Sequence, residues 1–223
     1  MDKRAVNKNE PRRTYESAAA AASRFARLSI GSPLSSLSRT KTNGRLGLFC
    51  DSAISVALIL LAKSKYGLPT PSVVGCVSIG LALFTFVEYA CHRWLFHGEP
   101  NALERGHWQH HLFPLGDDSL PFFLPPVLFA TVACLLSVIL PGGIALSLMG
   151  GLAGGYALYG LSHIVIHRRQ FSHAGARRWA AAHHIHHHHP DKNFGVTSPL
   201  WDVVLGTRYV PTRPRAHARA DGR

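Results

Sequence analysis

The chain has 223 residues, enough for one sizeable domain, and its net charge of +12 is concentrated at its two ends. Residues 1–47 hold ten Lys/Arg against three Asp/Glu, residues 167–223 hold the same numbers, and the middle of the chain is apolar. A nucleic-acid-binding domain would gather its basic residues on one folded face, among aromatic side chains. Basic ends around apolar stretches are instead typical of the cytosolic parts of a membrane protein. A membrane is therefore an expected partner, and nucleic acid is not.

The first part of the chain, residues 1–45, is polar, basic and rich in Ser and Ala. We expect a partly disordered arm or a helix on the membrane surface, because three acidic residues argue against an organelle transit peptide. Residues 211–223 are predicted to be a disordered basic tail. Residues 46–210, between these two segments, are predicted to form one membrane-embedded domain.

This domain contains four apolar stretches that could cross a bilayer, which takes about 20 residues of helix. The connections within the first pair and within the second pair are short, which predicts two helical hairpins. Both ends of the chain and residues 92–119 then share one side with 22 of the 24 Lys/Arg, so that side is expected to be cytosolic, in a bacterial inner membrane or the endoplasmic reticulum. The predicted fold is all-α: about four transmembrane helices in two hairpins, with a cytosolic, histidine-rich di-metal cap. The four stretches are Leu46–Ala62, Ser72–Cys91, Leu120–Leu140 and Gly142–Ile166.

Fifteen histidines are present, and thirteen of them fall in four clusters. Each cluster lies at the cytosolic end of a predicted span or in a predicted cytosolic segment, so the topology gathers them in one layer. Spacings of three and four residues place side chains on one helix face, so the members of a cluster could converge on one point. His92 and His97 are five residues apart and would need a helix end or two different metal ions. The clusters are His92/His97, His107/His110/His111, His163/His167 and the run from His183 to His189.

So many imidazoles in one layer would repel one another if protonated and would need partners if neutral. Metal ions meet both conditions, because neutral imidazole is a good ligand for iron, zinc and copper. A zinc hydrolase would need only three or four of these ligands. A transporter would place ionisable ligands near mid-membrane rather than at the ends of spans. A histidine-rich metal-binding or transport membrane protein is the alternative of another class.

The histidine clusters also resemble the motifs of a known family. The stretch Glu88–His97, which ends in HRWLFH, looks like the first histidine box of the fatty acid hydroxylase/sterol desaturase superfamily. His107–His111 (HWQHH) resembles its second box, and His163–His167 resembles its HxxxH element. His183–His187 and the following Asn193–Asp202 are similar to its closing box and signature. The HRWLFH and HWQHH motifs are most similar to those of the fatty acid 2-hydroxylases.

The resemblance implies two iron ions (with zinc possible in purified protein), molecular oxygen as co-substrate, and electrons from outside the chain. Some members of the superfamily carry a fused cytochrome b5 domain, which this sequence does not show. We therefore expect a separate electron donor, such as cytochrome b5 or a ferredoxin with its reductase. The implied metal ligands are His92, His97, His107, His110, His111, His163, His167, His183, His186 and His187.

Glu88 lies one helical turn before His92 and is the candidate for a carboxylate that assists the ligands, although it could also pair with Arg93. The function that the resemblance implies is hydroxylation or desaturation of a lipid, with a fatty acyl chain as the expected substrate. A carotenoid or sterol hydroxylase or desaturase of the same superfamily is the alternative, because fold and motif do not fix the substrate.

Overall fold

The computed structural model of the protein describes residues 36–116 and 119–211, and every regular element within these ranges is helical. This confirms the predicted all-α class. The predicted arm up to residue 35 and the predicted tail from residue 212 lie outside the described residues. The helices are α1 (Lys41–Tyr66), α2 (Thr70–Ala90), a π-helix (Cys91–Phe96) that continues α2, α3 (Ala102–Leu112), α4 (Leu124–Ile139), α5 (Gly142–Arg168), α6 (Ala174–His188) and α7 (Leu200–Val204).

Within the described ranges, three helices are long and apolar enough to cross a membrane: α1, α2 with its π-helical extension, and α5. α1 has 26 residues, several more at each end than the predicted stretch. Its N-terminus is capped by the Thr40 side chain, which accepts from the backbone N–H of Asn43, and its C-terminus by Gly67 in the left-handed conformation (φ 60°). Both caps lie outside the apolar stretch, so hydropathy alone gave bounds that were too narrow.

α4 is shorter than predicted, because it begins at Leu124 rather than at Leu120. Its 16 residues span about 24 Å, less than a hydrocarbon core of roughly 30 Å. Two prolines fill its first turn, and the residues before them are held by a side chain instead of by helical hydrogen bonds. The buried amide of Asn43 donates to the Ser119 hydroxyl (2.8 Å) and the Leu120 carbonyl (2.9 Å), and it accepts from the Phe122 N–H (3.0 Å).

α5 lies at the centre of the helices and packs against α1, α2 and α4. Its glycines allow this close packing: a Cβ on Gly150 would lie 2.6 Å from Ile59 of α1. A Cβ on Gly80 of α2 would lie 2.9 Å from the Cα of Gly151, so at this point the two backbones are in contact. The small residues of α5 therefore serve packing within one chain.

Both predicted hairpins are present, since residues 67–69 join α1 to α2 and residues 140–141 join α4 to α5. α2 and α5 run in the same direction and carry histidines at their C-terminal ends. The cap, formed by α3, α6 and the segments around them, covers these two ends and completes the site.

Candidate metal centre

The structure brings all ten predicted histidines together, in two groups of five. Within each group, one ring nitrogen of every histidine lies within 4.8 Å of the others. The first histidine group comprises His92, His97, His107, His111 and His186. The second histidine group comprises His110, His163, His167, His183 and His187.

The two groups are assembled from matching parts. Each span end supplies one pair, from the π-helix to the first group and from α5 to the second. Each cap helix supplies an i, i+4 pair to one group and a single histidine to the other. Adjacent positions such as His110 and His111 differ by about 100° around a helix, so they face different groups. The expectation that each cluster could converge on one point is therefore wrong for α3 and α6.

His92 and His97 reach the same group although they are five residues apart. The reason is the π-helix at Cys91–Phe96, where backbone hydrogen bonds join residues five apart and bring them to nearly the same side. The helix then ends at His97, whose backbone is no longer helical (φ −118°, ψ 12°). The sequence allowed either a helix end or two different metal ions for this pair. The structure shows a helix end, whose last turn is widened into a π-helix.

The first histidine group points its Nε2 atoms inward. His107 Nε2 lies 3.0 Å from the Nε2 atoms of His92, His97 and His111. The Nδ1 atom of His92 contacts the Phe194 carbonyl, and that of His186 contacts the Lys192 carbonyl at 2.7 Å. A carbonyl can only accept, so Nδ1 donates and each Nε2 offers a lone pair to the centre of the group.

A metal ion fits this arrangement. One N–H on His107 could satisfy only one of its three neighbouring nitrogens, whereas a cation can be shared by all their lone pairs. In the second histidine group, the Nε2 of His163 is buried without a hydrogen-bond partner in the described part of the chain. The other members show the same inward geometry, with Nε2 atoms of His167 and His183 2.9 Å apart. Both groups thus present donor sets that protons alone do not complete.

Burial keeps the cap histidines neutral, which is the form that binds metal. Burial, helped by the neighbouring His186, lowers the pKa of His97 to about 3. Burial and the nearby His167 lower the pKa of His110 to about 3. Burial also lowers the pKa of His186 to about 4, although the hydrogen bond to the Lys192 carbonyl opposes the shift. These imidazoles therefore need not lose a proton at neutral pH before they coordinate.

Aromatic rings enclose the first histidine group. Phe194 packs against three of its imidazoles, with ring centroids 5.6–5.8 Å apart. Phe96 stacks on His107 at 5.1 Å, and Trp108 meets the ring of His97 at 5.4 Å. The second group has a thinner enclosure, in which Tyr159 stacks on His163 at 5.8 Å. These rings pack over the imidazoles and leave less of their surface open to water.

Glu88 does not join either histidine group. Its buried carboxylate accepts from the backbone N–H groups of Val196 and Thr197 and from the Thr197 hydroxyl. Arg93 donates to the Tyr89 hydroxyl (2.9 Å) instead of pairing with Glu88. Glu88 thus ties α2 to the loop after α6, the same loop whose Phe194 carbonyl orients His92.

Asp202, to which the sequence motifs gave no role, holds the other half of this loop. Asp202 is 1% exposed and accepts from the backbone N–H groups of Phe194 and Gly195, both at 2.8 Å, and from the Thr207 hydroxyl at 2.7 Å. Asn193 begins the loop in the left-handed conformation (φ 54°) and donates to the Ala182 carbonyl. Both residues belong to the stretch Asn193–Asp202. The resemblance therefore identified this segment but did not predict the hydrogen bonds that its side chains make.

Comparison with known proteins finds relatives that match the part of the chain that carries the histidines. The fatty acid hydroxylase family model matches residues 77–207, more than half of the chain and all ten histidines. This chain belongs to the fatty acid hydroxylase family. The resemblance predicted from the histidine motifs is thereby confirmed. With its three membrane-length apolar helices, this fatty acid hydroxylase family member is an integral membrane protein of lipid metabolism.

Relatives with named activities include the dihydroceramide fatty acyl 2-hydroxylase FAH2 of Arabidopsis thaliana. It is 30% identical over 169 residues, which cover 68% of this chain and 68% of the relative. The fatty acid 2-hydroxylase of Mus musculus is 32% identical over 187 residues, 76% of this chain, but this chain spans only 46% of that relative's length. The solved structure of full-length scs7p, with only its hydroxylase domain visible, is 26% identical with a TM-score of 0.69, over 83% of this chain and 73% of that chain.

Proposed function

We propose that the protein is a membrane-bound, non-haem di-iron hydroxylase that inserts one oxygen atom of O2 into a fatty acyl chain of a lipid. The observation that carries this proposal is the convergence of ten buried or half-buried imidazoles in two adjacent groups, in a member of this family. The named relatives support hydroxylation over desaturation, because they are fatty acid and dihydroceramide fatty acyl 2-hydroxylases.

Each histidine group would hold one iron ion through its five Nε2 atoms. Five nitrogen donors exceed the three or four ligands that zinc takes in proteins, whereas imidazole also suits iron. When bound, two redox-active iron ions supply the activation of O2 that attack on an unactivated C–H bond requires. The donor sets thus favour iron, although zinc could occupy them in purified protein.

The chain's own residues hold the ligands and exclude water. The Phe194 and Lys192 carbonyls fix the ring orientation of His92 and His186. Phe96 and Phe194 close off the first group, so the reacting C–H bond would meet few competing water molecules. In the balanced reaction, one oxygen atom enters the C–H bond and the other leaves as water, with two electrons and two protons supplied from outside.

The position of the site suggests how its substrates arrive. The acyl chain would lie among the apolar helices with its reactive carbon at the ends of α2 and α5, where the histidines lie. By the predicted topology, Lys63 and Lys65 are the only two of the 24 Lys/Arg on the side away from the histidines, so the positive-inside rule favours a cytosolic site. A cytosolic site is open to a separate electron donor, such as cytochrome b5 or a ferredoxin with its reductase.

The test combines metal content with lipid analysis. The protein and a His186→Ala/His187→Ala variant, which loses one ligand from each group, are purified in detergent and their metals counted. The lipids of the expressing host are compared by mass spectrometry. We expect close to two metal ions per chain, which the variant loses, and host acyl chains that gain one oxygen atom only with the intact protein.

Other outcomes would change the proposal in distinct ways. Acyl chains that lose two hydrogens would mean desaturation and would refute hydroxylation while leaving the metal site intact. Metal that is unaffected by the double substitution would refute the di-metal site itself. Circular dichroism of both proteins shows whether the variant keeps its helices, so that metal loss is not mistaken for unfolding.

A further inference from the structure

Helix α7 follows the cap in the chain but packs back against the side of a membrane span. The Trp201 indole N–H donates to the Thr85 hydroxyl at 2.9 Å, and its ring meets that of Phe86 edge-on, with centroids 4.8 Å apart. Thr85 and Phe86 lie in α2, six and five residues before Cys91, where the apolar stretch ends. At 1.5 Å per residue, α7 therefore contacts α2 about 7.5–9 Å before the end of its apolar stretch.

The side of α7 that faces away from α2 is apolar and exposed. Leu200, Val203 and Val204 are 52%, 55% and 60% exposed. These fractions resemble those of residues at the same level of α2, such as Leu83 at 47% and Val87 at 42%, which belong to a membrane-length apolar helix. The exposed surface of α7 is thus continuous with a surface that lipid must cover.

The charges around α7 are consistent with an apolar environment. Between residues 194 and 207 the only ionisable side chain is that of Asp202, which is 1% exposed. Its carboxylate accepts three hydrogen bonds, from the Phe194 and Gly195 backbone and the Thr207 hydroxyl. No charge is therefore presented to the outer side of the helix.

Part of the backbone of α7 is paired, which lowers the cost of placing it in a bilayer, where unpaired N–H and C=O groups are costly. Val203 N–H donates to the Pro199 carbonyl (3.1 Å), and Leu205 N–H donates to the Trp201 carbonyl (2.9 Å). Thr207 N–H donates to the Asp202 carbonyl at 2.9 Å, which closes the turn after the helix.

We propose that α7 is a membrane-inserted helix whose Leu200, Val203 and Val204 contact lipid acyl chains. The basic residues around this segment predicted that it stays in the cytosol. In this proposal, the chain after the cap helix α6 instead returns into the bilayer. Since Asp202 of α7 holds Phe194, whose carbonyl orients His92, the bilayer would anchor the loop that sets the first histidine group. Depths of this order are those of amphipathic helices at membrane interfaces, roughly 5–10 Å.

Photo-crosslinking to lipid tests the proposal in the intact protein. Val204 and, as a matched control, Val210 are each replaced by p-benzoylphenylalanine, and the two variants are illuminated in phosphatidylcholine nanodiscs. Val210 is more exposed, at 75%, but lies beyond the charged Arg208. Intact-protein mass spectrometry should show lipid adducts at position 204 in a yield on the order of tenfold that at position 210.

A second measurement uses Trp201 itself. Emission of the unmodified protein and of a Trp201→Phe variant is compared in nanodiscs with and without lipid brominated in the middle of its acyl chains. The part of the emission that Trp201 contributes should be quenched by the brominated lipid. Equal adduct yields at the two positions, adducts to a second copy of the chain in place of lipid, or unquenched Trp201 emission would each overturn the proposal.

Discussion

The two histidine groups contain the same number of imidazoles but are held by different means. In the second group, the i, i+4 spacing of His163/His167 and of His183/His187 places the rings, and the buried His163 Nε2 and His183 Nδ1 have no protein partner in the described ranges. In the first group, i, i+4 spacing places only His107 and His111, and the Nδ1 of His111 also lacks a partner in those ranges. A π-helix and two backbone carbonyls place the rings of His92, His97 and His186. Regular helix geometry thus places most of the second group, whereas most of the first group depends on a widened helix end and on contacts with a distant loop.

Each cap helix supplies ligands to both histidine groups. A double substitution can therefore be chosen to remove ligands from one group only or from both. We expect His111→Ala/His186→Ala, which removes two ligands from the first group, to keep about one metal ion per chain. His111→Ala/His187→Ala, which removes one ligand from each group, should keep close to none. Metal analysis after dialysis against a chelator measures this difference, the largest that we predict.

The two variants differ only in which of two adjacent residues is changed, so they control for each other. Equal metal contents would mean that the ten histidines act as one shared site, and the division into two groups would be wrong. Circular dichroism should show the same helix content for both.

Asp202→Ala is expected to weaken the first group selectively. The substitution removes the acceptor of three buried hydrogen bonds, so the loop that carries the Phe194 carbonyl loses its support. Loss of contacts that orient ligands typically lowers metal affinity about 10–100-fold. Chelator titration should therefore show one weakened and one unchanged metal. Equal weakening of both metals would contradict the assigned role.

Glu88→Gln should have a smaller effect. The amide oxygen of Gln can still accept from the N–H groups of Val196 and Thr197, but those hydrogen bonds lose the assistance of a charge. We expect a loss of about 1–2 kcal/mol in the free energy of unfolding, with both metals retained. Thermal unfolding of the detergent-solubilised protein measures the loss of stability, and metal analysis measures whether both metals are retained. Loss of metal would show that Glu88 assists the ligands directly.

The smallest predicted effect concerns the backbone of Asn193. Both Asn193→Ala and Asn193→Gly remove its side-chain hydrogen bonds, but only Ala also meets the strain of a positive φ. The Ala variant should be less stable than the Gly variant by about 1 kcal/mol, because the greater conformational entropy that Gly loses on folding offsets part of the strain. The same thermal unfolding assay compares them directly. A Gly variant that is no more stable than the Ala variant would mean that the loop relaxes out of this conformation.

The sequence was sufficient to predict features that depend on local patterns. Apolar stretches predicted the hairpins, and the ten histidines could be singled out by their resemblance to family motifs. The division of neighbours such as His110 and His111 between two groups could not be predicted, because it depends on where the partner helices lie. The π-helix and the role of Asp202 were missed for the same reason, since their hydrogen bonds join residues far apart or depart from regular geometry.

The contact between Gly80 and Gly151 has a mechanical consequence for the two histidine groups. Each glycine lies twelve residues before the first histidine of its own helix, His92 or His163, and the two helices run in the same direction from the crossing. The crossing is therefore a pivot with two arms of equal length, about 18 Å each. A change of about 5° in the crossing angle would alter the separation of the arm ends by ~1.6 Å. A methyl group added at this pivot would act on the distance between the two groups without touching a single ligand.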